Sequence, residues 1–335
     1  MTDIKAPGCD DKLIWNTWMS MFNFPALTVA AELGLFSLLH KNPATSDVVA
    51  KEFGFELRAA EALLGILTSL GYLIQRDKKF YLTDVSQYYL IPESPYYWGG
   101  MLKLMSNFPL HHSVLMEALK KNDANASYSW ATTKPNLEMI KMFTSAMHSM
   151  TKPAALSAAK LGDFSSVKRL LDVGGGSAAM STAIAQQHPH IHCTIMELPA
   201  VAPQTEEYIA KAGLTDRVNV IHGDFFKDSF PTDYDTFLFS HVLEDWKEEK
   251  CLFLLKRCFE ALPQGGRIYI HEPILAETKD SPAVSVGFAM CMVWWSEGKV
   301  LTISEITQLL QTVGFQDISV TPTHGHICLI TACKP

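Results

Sequence analysis

Three consecutive glycines, Gly174 to Gly176, separate an apolar run that contains an acid from a stretch with helical spacing. The run 169–173 predicts a buried strand, and Asp172 lies just before its end. A strand, a glycine turn and a helix bring backbone N–H groups and a helix N-terminus up to a ligand. Glu197 follows 21 positions after Gly176, where an acid can accept hydrogen bonds from ribose hydroxyls. These residues predict a site for a nucleoside-containing cofactor; a tight turn without a ligand is the simpler alternative.

Two nucleoside cofactors are compatible with this turn. Residues 174–179 match the dinucleotide fingerprint with alanine in the last position, which keeps NAD as a rival. Asp172, just before the glycines, is placed to meet an ammonium group, as in S-adenosylmethionine. Asp224 and Phe225 end a third predicted strand and suit the amino group and the ring of adenine. Both observations favour S-adenosylmethionine.

The elements that must position these residues alternate between strand and helix over the C-terminal half of the chain. This alternation predicts an α/β fold with a doubly wound parallel sheet. The predicted strands are 169–173, 191–196, 218–222, 235–240, 266–271, 317–321 and 326–332, and the predicted helices lie near 178–187, 203–212, 247–262 and 303–312. Only Pro322 to Gly325 separates the last two strands, which favours a terminal antiparallel hairpin. Such a hairpin is a further argument against a dinucleotide fold.

The N-terminal part predicts a partner-binding domain. Residues 11–39 have a helical pattern with apolar side chains on most faces, so this segment must be buried, and a partner subunit is one way to bury it. Residues 43–90 predict a small winged-helix unit. Because positions 45–90 carry five basic and six acidic residues, DNA binding is disfavoured and dimerisation is favoured.

Composition limits the other classes of function. The 335 residues carry a net charge of −7, which argues against general nucleic-acid binding. The sequence contains no apolar run of 18 or more residues, so we expect no membrane span. The seven scattered cysteines form no CxxC pair, and the polar N-terminus has no signal-peptide pattern, so we expect a cytoplasmic protein. The histidines lack nearby acid or cysteine sets, so we predict no metal site.

A helical, aromatic-rich segment precedes the sheet and predicts a cover for a flat apolar ligand. Phe143 and Met147 lie at helical spacing there. Met290, Cys291, Trp294 and Trp295 belong to a later helix that is also rich in methionine and tryptophan. Such side chains form a soft, flat cavity for an aromatic or polyketide-like acceptor, with ordinary core packing as the alternative.

The chain resembles the S-adenosylmethionine-dependent O-methyltransferases of the caffeate and acetylserotonin type. The motifs that carry the resemblance are Leu-Asp-Val-Gly-Gly-Gly at 171–176, Glu-Leu-Pro at 197–199, Gly-Asp-Phe-Phe at 223–226, Val-Leu-Glu-Asp-Trp at 242–246 and Gly-Phe at 314–315. The resemblance implies a homodimer with a winged-helix dimerisation domain (1–95), a helical linker and substrate lid (96–160) and a Rossmann-like class I methyltransferase domain (161–335).

The resemblance also implies a cofactor site. Gly174 and Gly176 would cradle the methionine portion of S-adenosylmethionine, and Glu197 would bind the ribose, where the family more often has aspartate. The remaining predicted contacts are Asp224 and Phe225 at the adenine, Trp246 on the adenine side, Met147 and Thr151 near the sulfonium, and Leu198 and Ser240. S-adenosylhomocysteine would be the product. Ala178 stands where the family often has a third glycine.

The predicted catalytic residues depart from the family. Its base is a histidine just before Asp-Trp, and this position is Glu244 here. Of its two flanking carboxylates, one matches Glu272 and the other falls on Val300. Three alternatives follow: Glu244 is the base, with a pKa raised by burial and by Glu272; or the acceptor needs no strong base; or methyl transfer has been lost. His241 and His271 close sheet strands and are candidates for a displaced base.

The sequence therefore predicts a methyltransferase for a small aromatic secondary metabolite, with O-methylation favoured over N- or C-methylation. An enzyme of the same fold that catalyses a pericyclic, cyclisation or hydroxylation step is the rival within enzymes. A ligand-sensing winged-helix regulator is the rival outside them, and charge disfavours it.

Overall fold

The computed structural model describes residues 8–108, 110–121 and 136–335, and the chain divides into two units after Phe108. The predicted boundaries at 95 and 160 differ from this division. Helix Gly99–Asn107 contacts helix Asn23–Glu32 in the first unit, whereas helix Leu137–Leu161 contacts helix Ala179–Gln187 in the second. The predicted linker is therefore shared between the two units, and its residues 122–135 lie outside the described residues.

The first unit is helical with one hairpin. Its elements are α1 Lys12–Met19, a 3-10 turn Ser20–Phe22, α2 Asn23–Glu32, α3 Leu35–Lys41, α4 Ser46–Phe53, α5 Leu57–Ser69, β1 Leu73–Arg76, β2 Lys79–Leu82, α6 Asp84–Tyr89 and α7 Gly99–Asn107. The winged-helix prediction is confirmed in α4, α5 and the antiparallel β1–β2 pair. The helical pattern predicted over 11–39 is confirmed in α1, α2 and α3, which the 3-10 turn and Gly34, at φ +75°, separate.

Large apolar side chains of α1 are exposed within this unit. Leu13 is 78% exposed, Trp15 50% and Trp18 55%. Their burial thus needs contacts that the unit itself does not supply. No single helix among the described residues is long and apolar enough to span a membrane; the bent pair Lys12–Glu32 and Leu35–Lys41 meets those two criteria only when taken together.

The second unit contains the large sheet. Its elements are α8 His112–Lys121, α9 Leu137–Leu161, β3 Arg169–Val173, α10 Ala179–Gln187, β4 His192–Glu197, α11 Ala202–Lys211, β5 Val218–His222, β6 Thr236–Ser240, a 3-10 turn Leu243–Asp245, α12 Glu248–Ala261, β7 Arg267–Leu275, α13 Ala283–Trp295, β8 Leu301–Thr302, α14 Ile303–Val313, β9 Gln316–His324 and β10 Ile327–Cys333. All predicted strands and helices of this unit are confirmed within a few residues, except that β7 is longer.

The strand order is β5-β4-β3-β6-β7-β10-β9, with β8 paired to β7. β3 to β7 pair in parallel, and β10 runs antiparallel to both β7 and β9, which confirms the terminal hairpin. β7 extends to Leu275 because β10 pairs with it as far as Pro273 and β8 then pairs with Ile274 and Leu275. The order reverses between β3 and β6, and ligands of open α/β sheets bind at such a switch point, beyond the carboxyl ends of the strands.

Helix α9 brings the predicted lid residues to that edge. Small side chains, Ala154, Ala155 and Ala158, are fully buried along it, which lets the backbones of α9 and α10 approach closely. Because α10 begins at the glycine turn, the middle of α9 lies beside that turn.

Candidate active site

The turn after β3 uses backbone conformations that favour glycine. Gly174 has φ +71° and Gly176 has φ +53°. A Cβ on Gly174 would also lie 3.2 Å from the ring of Phe225. Ala178, at φ +60°, occupies the same left-handed region, which costs an alanine about 1 kcal/mol. This backbone conformation explains why glycine suits that position in the family.

The Asp172 carboxyl lies beneath the turn. It is fully buried; Oδ2 accepts a hydrogen bond from Ser181 Oγ at 2.7 Å, and Oδ1 has no partner among the described residues. A Cβ on Gly175 would come within 2.7 Å of this carboxyl. Burial, and to a lesser extent the charge of Glu197, raises the pKa of Asp172 to about 7. An unpartnered buried carboxyl oxygen fits an ammonium group, which would satisfy it and favour its ionised form.

Glu197 closes the other side of the turn. Its Oε2 accepts from the N–H of Gly176 at 2.9 Å, and its Oε1 accepts from the N–H of Leu198 at 2.8 Å. Each carboxylate oxygen keeps a second lone pair that a ribose hydroxyl can use. Burial raises the pKa of Glu197. The predicted residues Gly176, Glu197 and Leu198 are thus in direct contact.

The predicted adenine residues lie after β5. Asp224 accepts from the N–H of Phe226 at 2.9 Å and pairs with Lys227 Nζ at 2.7 Å. The Phe225 ring meets the Trp246 ring edge-on, with centroids 6.2 Å apart. Arg257 of α12, which the sequence did not single out, donates to the carbonyl of Phe225 at 2.5 Å and fixes this loop from below.

Helix α9 contributes a histidine that sequence reasoning missed. His148 Nδ1 lies 3.0 Å from Oγ of Ser177 in the glycine turn, and the ring stacks on Tyr208 with centroids 4.4 Å apart. Burial and the nearby Lys152 lower the pKa of His148 to about 4, so the ring is neutral. Its position, one residue after Met147, was the available signal. Thr151, one turn later on α9, is buried.

A buried pair of side chains follows β6. His241 Nδ1 lies 2.7 Å from Oε1 of Glu244, and each side chain is only 4% exposed. His241 Nε2 and Glu244 Oε2 are buried without a hydrogen-bond partner among the described residues. His241 has φ +55°, a conformation uncommon for a non-glycine residue. The structure therefore brings together two of the predicted catalytic residues.

Glu272 supports this pair through the backbone. Its Oε1 accepts from the N–H groups of Val242 at 3.1 Å and Leu243 at 2.6 Å, which holds the 3-10 turn that carries Glu244. Burial is the main cause that raises the pKa values of Glu244, Asp245 and Glu272 to about 8 each. Burial lowers the pKa of His241. Asp245 was not predicted as a member of this group.

His271 and Ser240 interact with each other. Ser240 Oγ lies 3.3 Å from His271 Nδ1, and His271 Nε2 lies 3.1 Å from Thr323 Oγ1. His271 is fully buried, and burial lowers its pKa to about 3. Both ring nitrogens thus have partners within the sheet, an arrangement typical of a structural histidine.

Val300 occupies the position of the family's second carboxylate. It is buried and packs in an apolar cluster with Leu275 and Met292. These apolar surroundings suit a valine, since an unpaired carboxylate there would lose its hydration.

The predicted acceptor residues form an aromatic group between α9 and α13. Phe143 stacks on Trp295 with ring centroids 6.1 Å apart and an interplanar angle of 6°, and Trp294 meets Trp295 edge-on. Burial, then the charge of Glu244, raises the pKa of Cys291 to about 11. Met290, in contrast, is 43% exposed. The described residues contain no group of three or more metal-ligating side chains that could hold an ion.

Comparisons with known proteins identify the family of the two domains. Residues 116–316 match the O-methyltransferase domain, and residues 16–92 match the O-methyltransferase dimerisation domain. The chain is 32% identical over 298 residues to 3-hydroxy-5-methyl-1-naphthoate 3-O-methyltransferase of Streptomyces sahachiroi, which covers 87% of this chain and 86% of that protein. It is 33% identical over 295 residues to L-tyrosine C(3)-methyltransferase of Streptomyces lavendulae, covering 84% and 79%. The crystal structure of human N-acetylserotonin methyltransferase in complex with SAM superposes with a TM-score of 0.85 at 25% identity, covering 98% of this chain and 99% of that one.

Proposed function

Since this chain belongs to the O-methyltransferase family and is an S-adenosylmethionine-dependent methyltransferase, we propose that it methylates a hydroxyl group on a small aromatic secondary metabolite. The relatives named above act on a hydroxynaphthoate, on tyrosine and on N-acetylserotonin. Each of these molecules carries a hydroxyl on an aromatic ring. The proposed acceptor is therefore a phenol.

The observation that carries the proposal is the match between the glycine turn and the methyl donor. The unpartnered Asp172 oxygen suits the donor's ammonium group, and the Glu197 carboxylate suits its ribose. Phe225 and Trp246 suit the adenine ring, and Met147 and Thr151 lie on the helix beside the turn. S-adenosylmethionine, when bound there, supplies an electrophilic methyl group and leaves as S-adenosylhomocysteine.

The residues of this chain would then have separate roles. Phe143 and Trp295, already stacked, support a flat acceptor ring, and the aromatic surroundings exclude water. Holding the acceptor oxygen in line with the methyl group contributes much of the rate, because orientation replaces a bimolecular encounter. The His241 ring of the buried pair His241 and Glu244 lies 6.3 Å from the ring of Phe288 on α13, and this pair would handle the acceptor proton.

No specific observation favours the rival pericyclic, cyclisation or hydroxylation chemistry. The proposed assembly is a homodimer formed through residues 16–92, supported by the dimerisation-domain match and by the exposed apolar side chains of α1.

Calorimetry with S-adenosylmethionine, S-adenosylhomocysteine and NAD tests the donor, and binding of NAD alone would overturn the proposal. A panel of hydroxynaphthoates, tyrosine and N-acetylserotonin, incubated with the donor and analysed by mass spectrometry, tests the acceptor class. We expect the product to be heavier than the acceptor by one CH₂ group and to be an ether that is stable in alkali. Methylation at carbon or nitrogen would contradict the O-methyl assignment while leaving the donor assignment intact.

A further inference from the structure

The buried pair after β6 consists of His241 and Glu244, and only Glu244 occupies the position of the family's catalytic histidine. We propose that Nε2 of His241 accepts the proton of the acceptor hydroxyl. Glu244, which replaces the family's histidine, orients the His241 ring and balances its positive charge. This inference deepens the proposed O-methylation and rests on it.

The geometry leaves one ring nitrogen of His241 available. Nδ1 is committed to Glu244 Oε1 at 2.7 Å, so Nε2 is the nitrogen that can meet a ligand. Nε2 is buried and has no partner in the part of the chain that the structure describes. A buried polar atom without a partner costs about 1–3 kcal/mol, and an acceptor hydroxyl would remove that cost.

The backbone places the ring at this point. His241 follows β6 directly, its N–H donates to the His271 carbonyl at 3.2 Å, and its φ of +55° turns the chain into the 3-10 turn that carries Glu244. A left-handed histidine is strained, and such strain persists where neighbouring structure enforces it, often at functional sites. The ring then faces Phe288 of α13 edge-on, with centroids 6.3 Å apart. α13 also carries the aromatic residues of the proposed acceptor pocket.

The proton content of the pair decides when Nε2 can act as a base. Burial raises the pKa of Glu244 to about 8 and lowers the pKa of His241. Below about pH 8, Glu244 holds a proton that it donates to Nδ1, and Nε2 carries the ring hydrogen. Above that pH, the Glu244 carboxylate accepts the Nδ1 hydrogen, and Nε2 presents a lone pair. Because the two groups are coupled, the value belongs to the pair.

Other titratable groups around the ring act on the same equilibrium. They lie on the 3-10 turn, on β7, on α13 and before β10: Asp245, Glu272, His271, Cys291 and His326. Glu272 and Asp245 raise the pKa of His241 through their charges, in the same direction as ionised Glu244 would.

The proposed step transfers one proton and one methyl group. The acceptor O–H bond breaks and its proton moves to Nε2, the oxygen lone pair forms the new C–O bond, and the electron pair of the broken S–CH₃ bond stays on sulfur. The resulting His241 imidazolium is paired with the Glu244 carboxylate and returns its proton to solvent after product release. This role of the acid matches the general logic of an acid–histidine pair, in which the carboxylate fixes the tautomer and stabilises the cation.

Variants His241→Gln and Glu244→Gln, with exposed controls His192→Gln and Glu249→Gln, test the assignment on whichever hydroxynaphthoate of the panel is turned over. We expect His241→Gln to lower kcat by about 100-fold or more at alkaline pH, with S-adenosylhomocysteine affinity within about twofold by calorimetry. Glu244→Gln should lower kcat by about tenfold and remove the rise in kcat near pH 8. Because the pair acts as a unit, the double variant should resemble His241→Gln.

A spectroscopic readout does not depend on turnover or on the stability of the His241 variant. In protein labelled with ¹⁵N-histidine and saturated with S-adenosylhomocysteine, one histidine that Glu244→Gln perturbs should change from the Nε2–H to the Nδ1–H tautomer between about pH 7 and about pH 9. A fixed tautomer over that range would overturn the proposal, as would a Glu244→Gln variant less active than His241→Gln, which would make Glu244 the base. Failure of the wild-type protein to bind the donor or to methylate any acceptor would instead sink the proposed function.

Discussion

The N–H of Gly176 donates to Oε2 of Glu197 at 2.9 Å, which fixes the glycine turn against the end of β4. The Glu197 carboxylate accepts hydrogen bonds from two N–H groups. Replacing it with glutamine puts an NH₂ group opposite one of these two donors. We expect Glu197→Gln to weaken S-adenosylhomocysteine binding by about 10- to 100-fold, the usual loss for a hydrogen bond to a charged group. Calorimetry measures the change, and the exposed Glu206→Gln should bind normally. Equal affinities for both variants would disprove this role.

Ala178 should be unusually tolerant of glycine. The substitution removes a buried methyl group but also relieves an alanine at φ +60°, and these effects oppose each other. We expect Ala178→Gly to change the free energy of unfolding by less than about 1 kcal/mol, whereas Ala183→Gly inside α10 should lose more than that. Thermal and denaturant unfolding of the two variants make the comparison. A larger loss at Ala178 than at Ala183 would contradict the strain argument.

The buried carboxyls predict a protein that loses stability above neutral pH. Burial raises the pKa of Asp172 to about 7 and those of Glu244 and Glu272 to about 8. A carboxyl whose pKa is raised in the folded state stabilises that state fully below its unfolded pKa, and this contribution disappears as pH rises through the folded pKa. The pKa values of His241 and His271 are lowered in the folded state. These histidines therefore reduce stability only below about pH 6.5, where they take up protons more readily in the unfolded chain.

Between about pH 6.5 and about pH 8.5 the carboxyls therefore dominate, and the midpoint of thermal unfolding should fall. Each carboxyl that still holds its proton contributes up to about 1.4 kcal/mol per pH unit to this slope. Glu272→Gln keeps an acceptor for the two backbone N–H groups and should flatten the slope, whereas Glu249→Gln should leave it unchanged. Stability that rises over this range would refute the assignment.

The stacked pair Phe143 and Trp295 predicts a defect confined to the acceptor. Trp295→Leu removes a ring that lies parallel to Phe143 at 6.1 Å, and such aromatic pairs contribute about 0.5–1.5 kcal/mol beyond their buried area. We expect the acceptor KM to rise by about threefold to tenfold, with unchanged affinity for S-adenosylhomocysteine. Steady-state kinetics and calorimetry separate the two. The exposed Met290→Leu serves as the comparison on the same helix, and a loss of donor affinity in Trp295→Leu would argue against an acceptor role.

The exposed tryptophans of α1 predict the assembly. Trp15 and Trp18 are each at least half exposed within their unit, and their rings lie 5.1 Å apart. A Trp15→Ser, Trp18→Ser variant should dissociate into monomers at micromolar concentration, because burying a large aromatic side chain contributes about 1.5–3 kcal/mol. Sedimentation velocity gives the mass. A variant that remains dimeric would place the interface elsewhere, and Lys51→Ser provides a surface control.

Local patterns account for what the sequence could predict. The glycine turn, Glu197 and the terminal hairpin follow from strand, turn and spacing rules, and all are found. The contacts that sequence reasoning missed join distant residues: His148 reaches Ser177 across 29 positions, and Arg257 reaches Phe225 across 32. The His241–Glu244 pair spans only three positions, yet it depends on a left-handed histidine that no residue pattern reveals.

Contacts outside the Glu244 side chain also hold the turn that carries it. Glu272 accepts two of its N–H groups, and Gly298 packs so tightly that a Cβ there would come within 2.2 Å of the Glu244 carbonyl. The backbone at position 244 can therefore keep its conformation when the side chain there changes from histidine to glutamate. A protein whose catalytic position tolerates such a change can acquire new acceptor chemistry while its fold stays the same.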